Sequence, residues 1–491
     1  MEGKSSFPAP TTAIPKTDRR LFLAFIGIVL VAGGSALFFD QPLWIALPLA
    51  MVGLAVLAVD WRWVYYVLLF TLAFSVEIPL PGGLSLDVPS EPLMLVLVAC
   101  FGVNTLLGRA KIPRRFWVHP LVILIGLALL WSMVATLVSV DTVKSIKYLL
   151  AKTWYIIPFV FVTLLILRRP KDIWGVVACH VAGATLTAVY AFVRHAGLGF
   201  SFDGINPAVL PFYKNHVAYA ATISMLLPYA LYGARRPELS SFWRWLWRGA
   251  FVMLLLGVFF SYTRASMASL PLAIGFYFIV RWRLTRVVLV AVAIATAVGT
   301  YYFVNQNNYM LYAPNFEKTV FNGQDFGKHL QATYNLEDLS GMERVYRWVA
   351  AGHMISDRPI MGSGPNTFYP EYKRYTVSSF RTYVSHNPEK STTHNYFLLM
   401  LAEQGIAGFL LFTLLVVTAL LMVERLYHRS QSAEHRRIVL AAGLSLFIIT
   451  AHLLLNELVE VDKIGSFFYI ALAILMRAEG WIRDENVALE E

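Results

Sequence analysis

Apolar runs long enough to cross a bilayer, about 17 residues or more, recur from one end of the chain to the other. They fall near residues 21–39, 43–59, 64–80, 92–108, 116–138, 147–167, 173–195, 217–234, 249–263, 266–281, 287–304, 394–423, 438–456 and 464–477. One long polar stretch, residues 305–393, interrupts them. The pattern predicts an all-α polytopic membrane protein of about 12–14 transmembrane helices with one large loop containing short helices. The parts are then an N-terminus rich in Pro, Ser and Thr (1–20), expected to be disordered and cytoplasmic, and an N-terminal bundle (21–304). The large loop (305–393), C-terminal helices (394–477) and a short cytoplasmic tail (478–491) follow.

Charge orients these runs. Basic residues sit in alternate connections: Arg62; Arg109, Lys111, Arg114 and Arg115; Arg168, Arg169 and Lys171; Arg235 and Arg236; Arg281, Arg283 and Arg286; Arg425, Arg429, Arg436 and Arg437. The intervening connections are acidic or polar, such as Asp141, Asp203 and the Glu457-Glu460-Asp462 segment. By the positive-inside rule both termini face the cytoplasm and the large loop faces outside, which in a bacterium is the periplasm of the inner membrane. Trp and Tyr at run ends, among them Trp61, Trp63, Trp243 and Tyr301, fit interface belts. The run at 21–39 follows Lys16, Arg19 and Arg20 and lacks a small-x-small cleavage site, so it reads as a retained span.

Composition agrees: 57% of residues are hydrophobic and 14% charged. The net charge of +11 is spread in short clusters between apolar runs, which argues against a nucleic-acid partner. Cys100 and Cys179 lie inside apolar runs and offer neither a disulfide framework nor metal-ligand spacing. No phosphate-binding glycine loop, H-E-x-x-H, C-x-x-C or D-x-D motif occurs, so no metal or other cofactor is expected. The nearest acidic pairs, Glu337-Asp338 and Glu460-Val461-Asp462, read as solvated loop charges.

The candidate chemistry gathers in the large loop and at the outer ends of the runs. The loop holds nine Lys/Arg and eight Asp/Glu, so any anion site must come from local clustering. Ser340 to Glu343 reads as a capping box opening a helix to about Asp357, stopped by Pro359. Arg344 and Arg347 share a face of that helix, available to a phosphate or simply solvated. Gly362-Ser363-Gly364-Pro365 reads as a turn that reverses the chain. Arg264, on a very short outer turn, is either functional or a snorkelling anchor.

His394 is expected to open the following helix, capped by Thr392 or Thr393, with Leu398, Leu401 and Gly405 on its face. Glu403 would point elsewhere, toward a buried partner or a proton. Lys214 and His216 at an outer mouth, and Lys147 and Lys152, are further cations available to an anion or to the interface.

Four segments together resemble a known family. They are Tyr262-Thr263-Arg264-Ala265-Ser266; Arg344-x-x-x-Trp348; Pro359-x-x-Gly362-x-Gly364-Pro365-x-x-Phe368; and Thr393-His394-Asn395-x-Phe397-Leu398 through Glu403-x-Gly405-x-x-Gly408. This set, between residues 249 and 423, resembles the core of the O-antigen ligase and polymerase superfamily. The resemblance implies a GT-C-like membrane glycosyltransferase. It would take a glycan from undecaprenyl diphosphate and pass it to an acceptor hydroxyl without a metal, with inversion at the anomeric carbon. Lipid A core is the expected acceptor. A second lipid-linked glycan (polymerase) or a protein hydroxyl (O-oligosaccharyltransferase) is the alternative.

It further implies that Arg264, Arg344 and His394 are catalytic. Arg347, Lys214 and His216 are expected to help bind the diphosphate. The extra spans and longer loop depart from the ligases and leave ligase against polymerase open. A transporter of a lipid-linked sugar is the competing class, and His180 and Glu403 are the residues that favour it, as ionisable groups inside apolar runs.

Overall fold

A computed structural model describes residues 60–80, 84–312, 339–380, 385, 387 and 391–490. The predicted runs at 21–39 and 43–59 and the Glu337-Asp338 pair lie outside the described residues. Contacts divide the chain into two units, Met1–Val64 and Tyr65–Glu491. In the first, Arg62 is paired to Asp60; the second is the bundle described here.

The element order opens with α1 (Arg62–Thr71), the strands β1 (Val76–Leu80) and β2 (Leu84–Val88), α2 (Ser90–Leu106) and α3 (Arg114–Trp117). The long helices α4 (Pro120–Leu137), α5 (Thr142–Ile166) and α6 (Asp172–Gly197) follow. Then come α7 (Ile205–Val209), α8 (His216–Ala234), α9 (Ser241–Phe260), α10 (Arg264–Arg281) and α11 (Thr285–Val304). The large loop holds α12 (Leu339–Asp357) and α13 (Phe368–Glu371), and the chain closes with α14 (Tyr396–Arg429), α15 (Ala433–Leu453) and α16 (Asp462–Glu490).

Among the described residues nine helices are long and apolar enough to cross a membrane. The chain is therefore an all-α polytopic membrane protein, as the apolar runs predict. Helices α8, α15 and α16 are largely buried by their neighbours, whereas α11 is exposed along its length. Apolar residues thus fill the interior and also cover the outside of the bundle, as a lipid solvent requires.

The run at 64–80 is not one span. Its helix ends in a 3-10 turn at Leu72–Phe74, and Val76–Leu80 then pairs antiparallel with Leu84–Val88, Val76 opposite Val88. Glu77 and Pro79 already break the apolar helical pattern there, and alternation takes over. At the other end, α16 continues past residue 477 to Glu490, so the predicted tail is mostly helix. Pro158 falls in a π-helical segment of α5, Ile157–Val162, because proline cannot donate to the ladder.

Candidate active site

A break in a membrane helix organises the site. Inside α14, Gly405 takes φ +65° and ψ −169°, a conformation essentially confined to glycine. The break leaves the carbonyls of the preceding turn without helical partners. The loop supplies donors instead. Ser363 N donates to Ala402 O at 3.1 Å, and Gly364 N to Glu403 O at 2.8 Å. Trp131 Nε1 donates to Gln404 O at 2.8 Å. In the other direction Ile406 N donates to Pro359 O at 2.9 Å.

The Glu403 carboxylate completes the joint, accepting Asn366 N and Phe368 N, each at 2.8 Å. The Gly362–Pro365 turn, expected only to reverse the chain, is thus plugged into the helix break. The buried partner that the Glu403 carboxylate needs is the backbone just after that turn.

Helix α12 packs its apolar face, including Met342, Tyr346, Val349, Ala350 and Met354, into the protein. It begins at Leu339, one residue before the predicted cap. Arg347 is 6% exposed and turns inward. Its Nη2 lies 3.3 Å from Glu343 Oε2 and its Nη1 donates to Thr392 O at 3.4 Å. Glu343 Oε1 in turn accepts the Ser385 hydroxyl at 2.6 Å. Trp348 Nε1 donates to Thr393 O at 2.8 Å. The i, i+1 pair Arg347–Trp348 therefore clamps the strap that leads into His394.

His394 itself stands before the helix, not in it. Its φ is +52°, and the helix starts at Tyr396 under Asn395, whose Oδ1 accepts Leu398 N at 3.0 Å. Asparagine in extended conformation reaches that amide, while the Thr393 hydroxyl is spent on Asn395 O at 2.7 Å. The predicted threonine cap, and the predicted face shared with Leu398, Leu401 and Gly405, are thereby corrected.

Freed from the helix, His394 meets the connection between α15 and α16. Its Nδ1 lies 3.9 Å from Glu457 Oε2, and its side chain hydrogen-bonds to Asn456. Burial lowers the imidazole pKa below its ordinary value. Arg347 and Arg344 push the same way, and Glu457 and the Asn456 bond oppose them. Neutral imidazole is therefore favoured at neutral pH.

Arg264 opens α10 behind Tyr262, whose φ is +54°. The Thr263 hydroxyl donates to His216 O at 3.3 Å, and Ser266 Oγ lies 3.2 Å from His452 Nε2. His452 lies in the last turn of α15, shortly before Asn456 and Glu457, so Arg264 and His216 lie at the same end of the bundle as His394. His216 Nδ1 is also 2.8 Å from Asn206 Oδ1. Lys214 is ion-paired to Glu77 of the hairpin at 2.6 Å.

Glu460 and Asp462 are not simply solvated. Lys152 Nζ, Tyr148 OH and Tyr396 OH all bond Glu460, the first at 2.7 Å. Asp462 is buried and accepts the Ser90 hydroxyl at 2.7 Å. His180, also buried, rests on Leu69 O at 3.2 Å and against the Phe467 ring.

The structure thus gathers Arg344, Arg347 and His394, and adds Asn456, which the hydropathy pattern places at the end of the run 438–456, and Glu457, which the sequence marks only as part of a polar connection. No signal local to Asn456 and Glu457 distinguishes them from other loop residues.

No curated protein matches the chain. The family model described as O-antigen ligase matches residues 249–413, a stretch that holds Arg264, Arg344, Arg347, His394 and the Glu403–Gly405 joint. The match thus falls on the same stretch whose motifs resemble that family, within a multi-pass membrane protein.

Proposed function

We propose that this protein is an inner-membrane glycosyltransferase that moves a glycan from undecaprenyl diphosphate to an acceptor hydroxyl on the periplasmic face, with lipid A core as the acceptor. An O-antigen ligase domain supports a ligase or polymerase acting on glycans. The observation that carries the finer reading is the grouping of Arg344, Arg347, Asn456 and Glu457 around His394.

In this reading the acceptor oxygen attacks the anomeric carbon, and the bond from that carbon to the diphosphate oxygen breaks. The electron pair leaves with the diphosphate. Arg344 and Arg264 bind the diphosphate and stabilise its growing charge, which makes a metal unnecessary. Direct displacement inverts the anomeric centre. His394 takes the acceptor's proton, a role that suits an imidazole held neutral. Glu457 and Asn456 orient the ring and stabilise the imidazolium that forms. Arg347 serves differently from the sequence expectation: committed to Glu343 and Thr392, it positions His394. Lys214 is held by Glu77, so its contribution to the diphosphate is indirect, and His216 supports the Arg264 turn.

A broken membrane helix also occurs in transporters, where freed carbonyls line a midplane site. Here the carbonyls around Gly405 are consumed by Ser363, Gly364 and Trp131. Glu403 and His180 likewise have structural partners. The break therefore supports anchoring of the loop over transport.

Purified protein in liposomes, supplied with undecaprenyl-diphosphate glycan, tests the reading. Product that appears only with lipid A core is expected. A ladder of longer lipid-linked chains without it would make the protein a polymerase. Donor crossing the bilayer with no product would overturn the transferase.

A further inference from the structure

A second cation-rich site lies at the far end of α14. A cavity of about 690 Å³ opens there. Arg283, Arg286, Arg425 and Arg429 line it, with His119 and His428. The arginines come from two separate places, the start of α11 and the last turns of α14. Convergence of this kind differs from helix-end arginines that simply spread toward the headgroups.

The carboxylates nearby are already committed. Glu479 Oε1 takes Arg425 Nη2 at 2.6 Å and its Oε2 takes His119 Nε2 at 2.9 Å. Glu424, in the lining, accepts Thr285 N at 2.9 Å. His428 is 2.9 Å from Val280 O. Arg283 and Arg286 are exposed, and their guanidinium groups have no ion-pair or hydrogen-bond partner among the described residues. The cavity therefore presents positive charge that the described side chains do not neutralise.

Its inner wall is apolar, with Leu421 and Met422. It lies beside α11, which is exposed along its whole apolar length. A phosphate would meet the arginines while hydrocarbon runs along α11. Guanidinium groups suit phosphate oxygens through paired N–H donors. We propose that this cavity binds the phosphate of an anionic membrane phospholipid, at the end of the bundle opposite His394. No group here belongs to the transfer site, so the proposal stands apart from that reading.

The test is native mass spectrometry of the full-length protein in detergent, titrated with phosphatidylglycerol, cardiolipin or phosphatidylethanolamine. Anionic lipid should bind in preference to phosphatidylethanolamine, and added salt should weaken it. The double variant Arg283→Gln/Arg286→Gln should lose about tenfold in affinity for the anionic lipids. Arg283→Lys/Arg286→Lys keeps the charge and should retain most of it, which separates loss of binding from loss of fold. Inorganic phosphate forms the competing arm: binding of phosphate alone as tightly as the lipid would overturn the lipid assignment. Equal binding of phosphatidylethanolamine, no response to salt, or wild-type affinity in the glutamine variant would overturn the site.

Discussion

At the residue scale the proposed site turns on His394. Its left-handed backbone and the Asn395 cap push it off the helix and toward Glu457. Burial and two guanidiniums lower its pKa, and Glu457 raises it. The base form is lost only as pH falls through that lowered value. Transfer should therefore be flat around neutrality and fall on an acid limb below pH ~6.5, the ordinary imidazole value. In Glu457→Gln the opposing carboxylate is gone, so the limb should move to lower pH while the plateau rate drops. A pH–rate profile of both proteins checks this; a limb that stays in place or moves up contradicts the pairing.

At the element scale the joint between the turn at 362–365 and α14 is decisive. A Cβ on Gly405 would run into the Ile360 carbonyl, besides forcing a side chain into a glycine-only conformation. Gly405→Ala should therefore destabilise by more than the ~1–3 kcal/mol of backbone strain alone, read as a lower thermal midpoint. Glu403→Gln keeps the shape but offers one acceptor oxygen in place of two. One of the Asn366 and Phe368 amides then loses its partner, at a cost of about 1–3 kcal/mol. Proteolysis of the loop should become faster in both variants, and unchanged protection would contradict the plug.

Much of this was legible in the sequence for a physical reason. A bilayer forces long apolar helices, so hydropathy reports them directly, and glycines at Gly362, Gly364 and Gly405 mark backbone that only glycine allows. The destination of the turn was not legible. Gly362–Pro365 reads locally as a reversal, and nothing nearby says that its amides end on Ala402 and Glu403. Asn456 and Glu457 were hidden in the same way, because their value comes from meeting His394 across distant loops. The hairpin at Val76–Val88 is hidden because its first strand, with Val76, Ile78 and Leu80 alternating against Glu77 and Pro79, is too short to stand out at the end of the apolar run 64–80.

At the scale of the whole molecule, charge alternation and the two cationic ends define an orientation. His394 and Arg264 lie at one end of the bundle, and the Arg283–Arg429 cavity lies at the other. We propose that the first faces the periplasm and that both termini face the cytoplasm. With Cys100 and Cys179 replaced by serine, a cysteine at Asp203 should react with an impermeant maleimide added outside. One at Arg436 should react only after permeabilisation. The reverse pattern would invert the assignment and remove the catalytic end from the periplasm.

The most direct measurement is glycan transfer by reconstituted wild type beside Arg264→Lys, Arg344→Lys and His394→Gln, with folding verified by thermal midpoint. Each substitution preserves size or charge, so it removes little besides the chemistry assigned to it. Each variant should lose about a hundredfold or more, the usual scale for one positioned donor or base. Full transfer by both Arg264→Lys and His394→Gln would contradict the assignment.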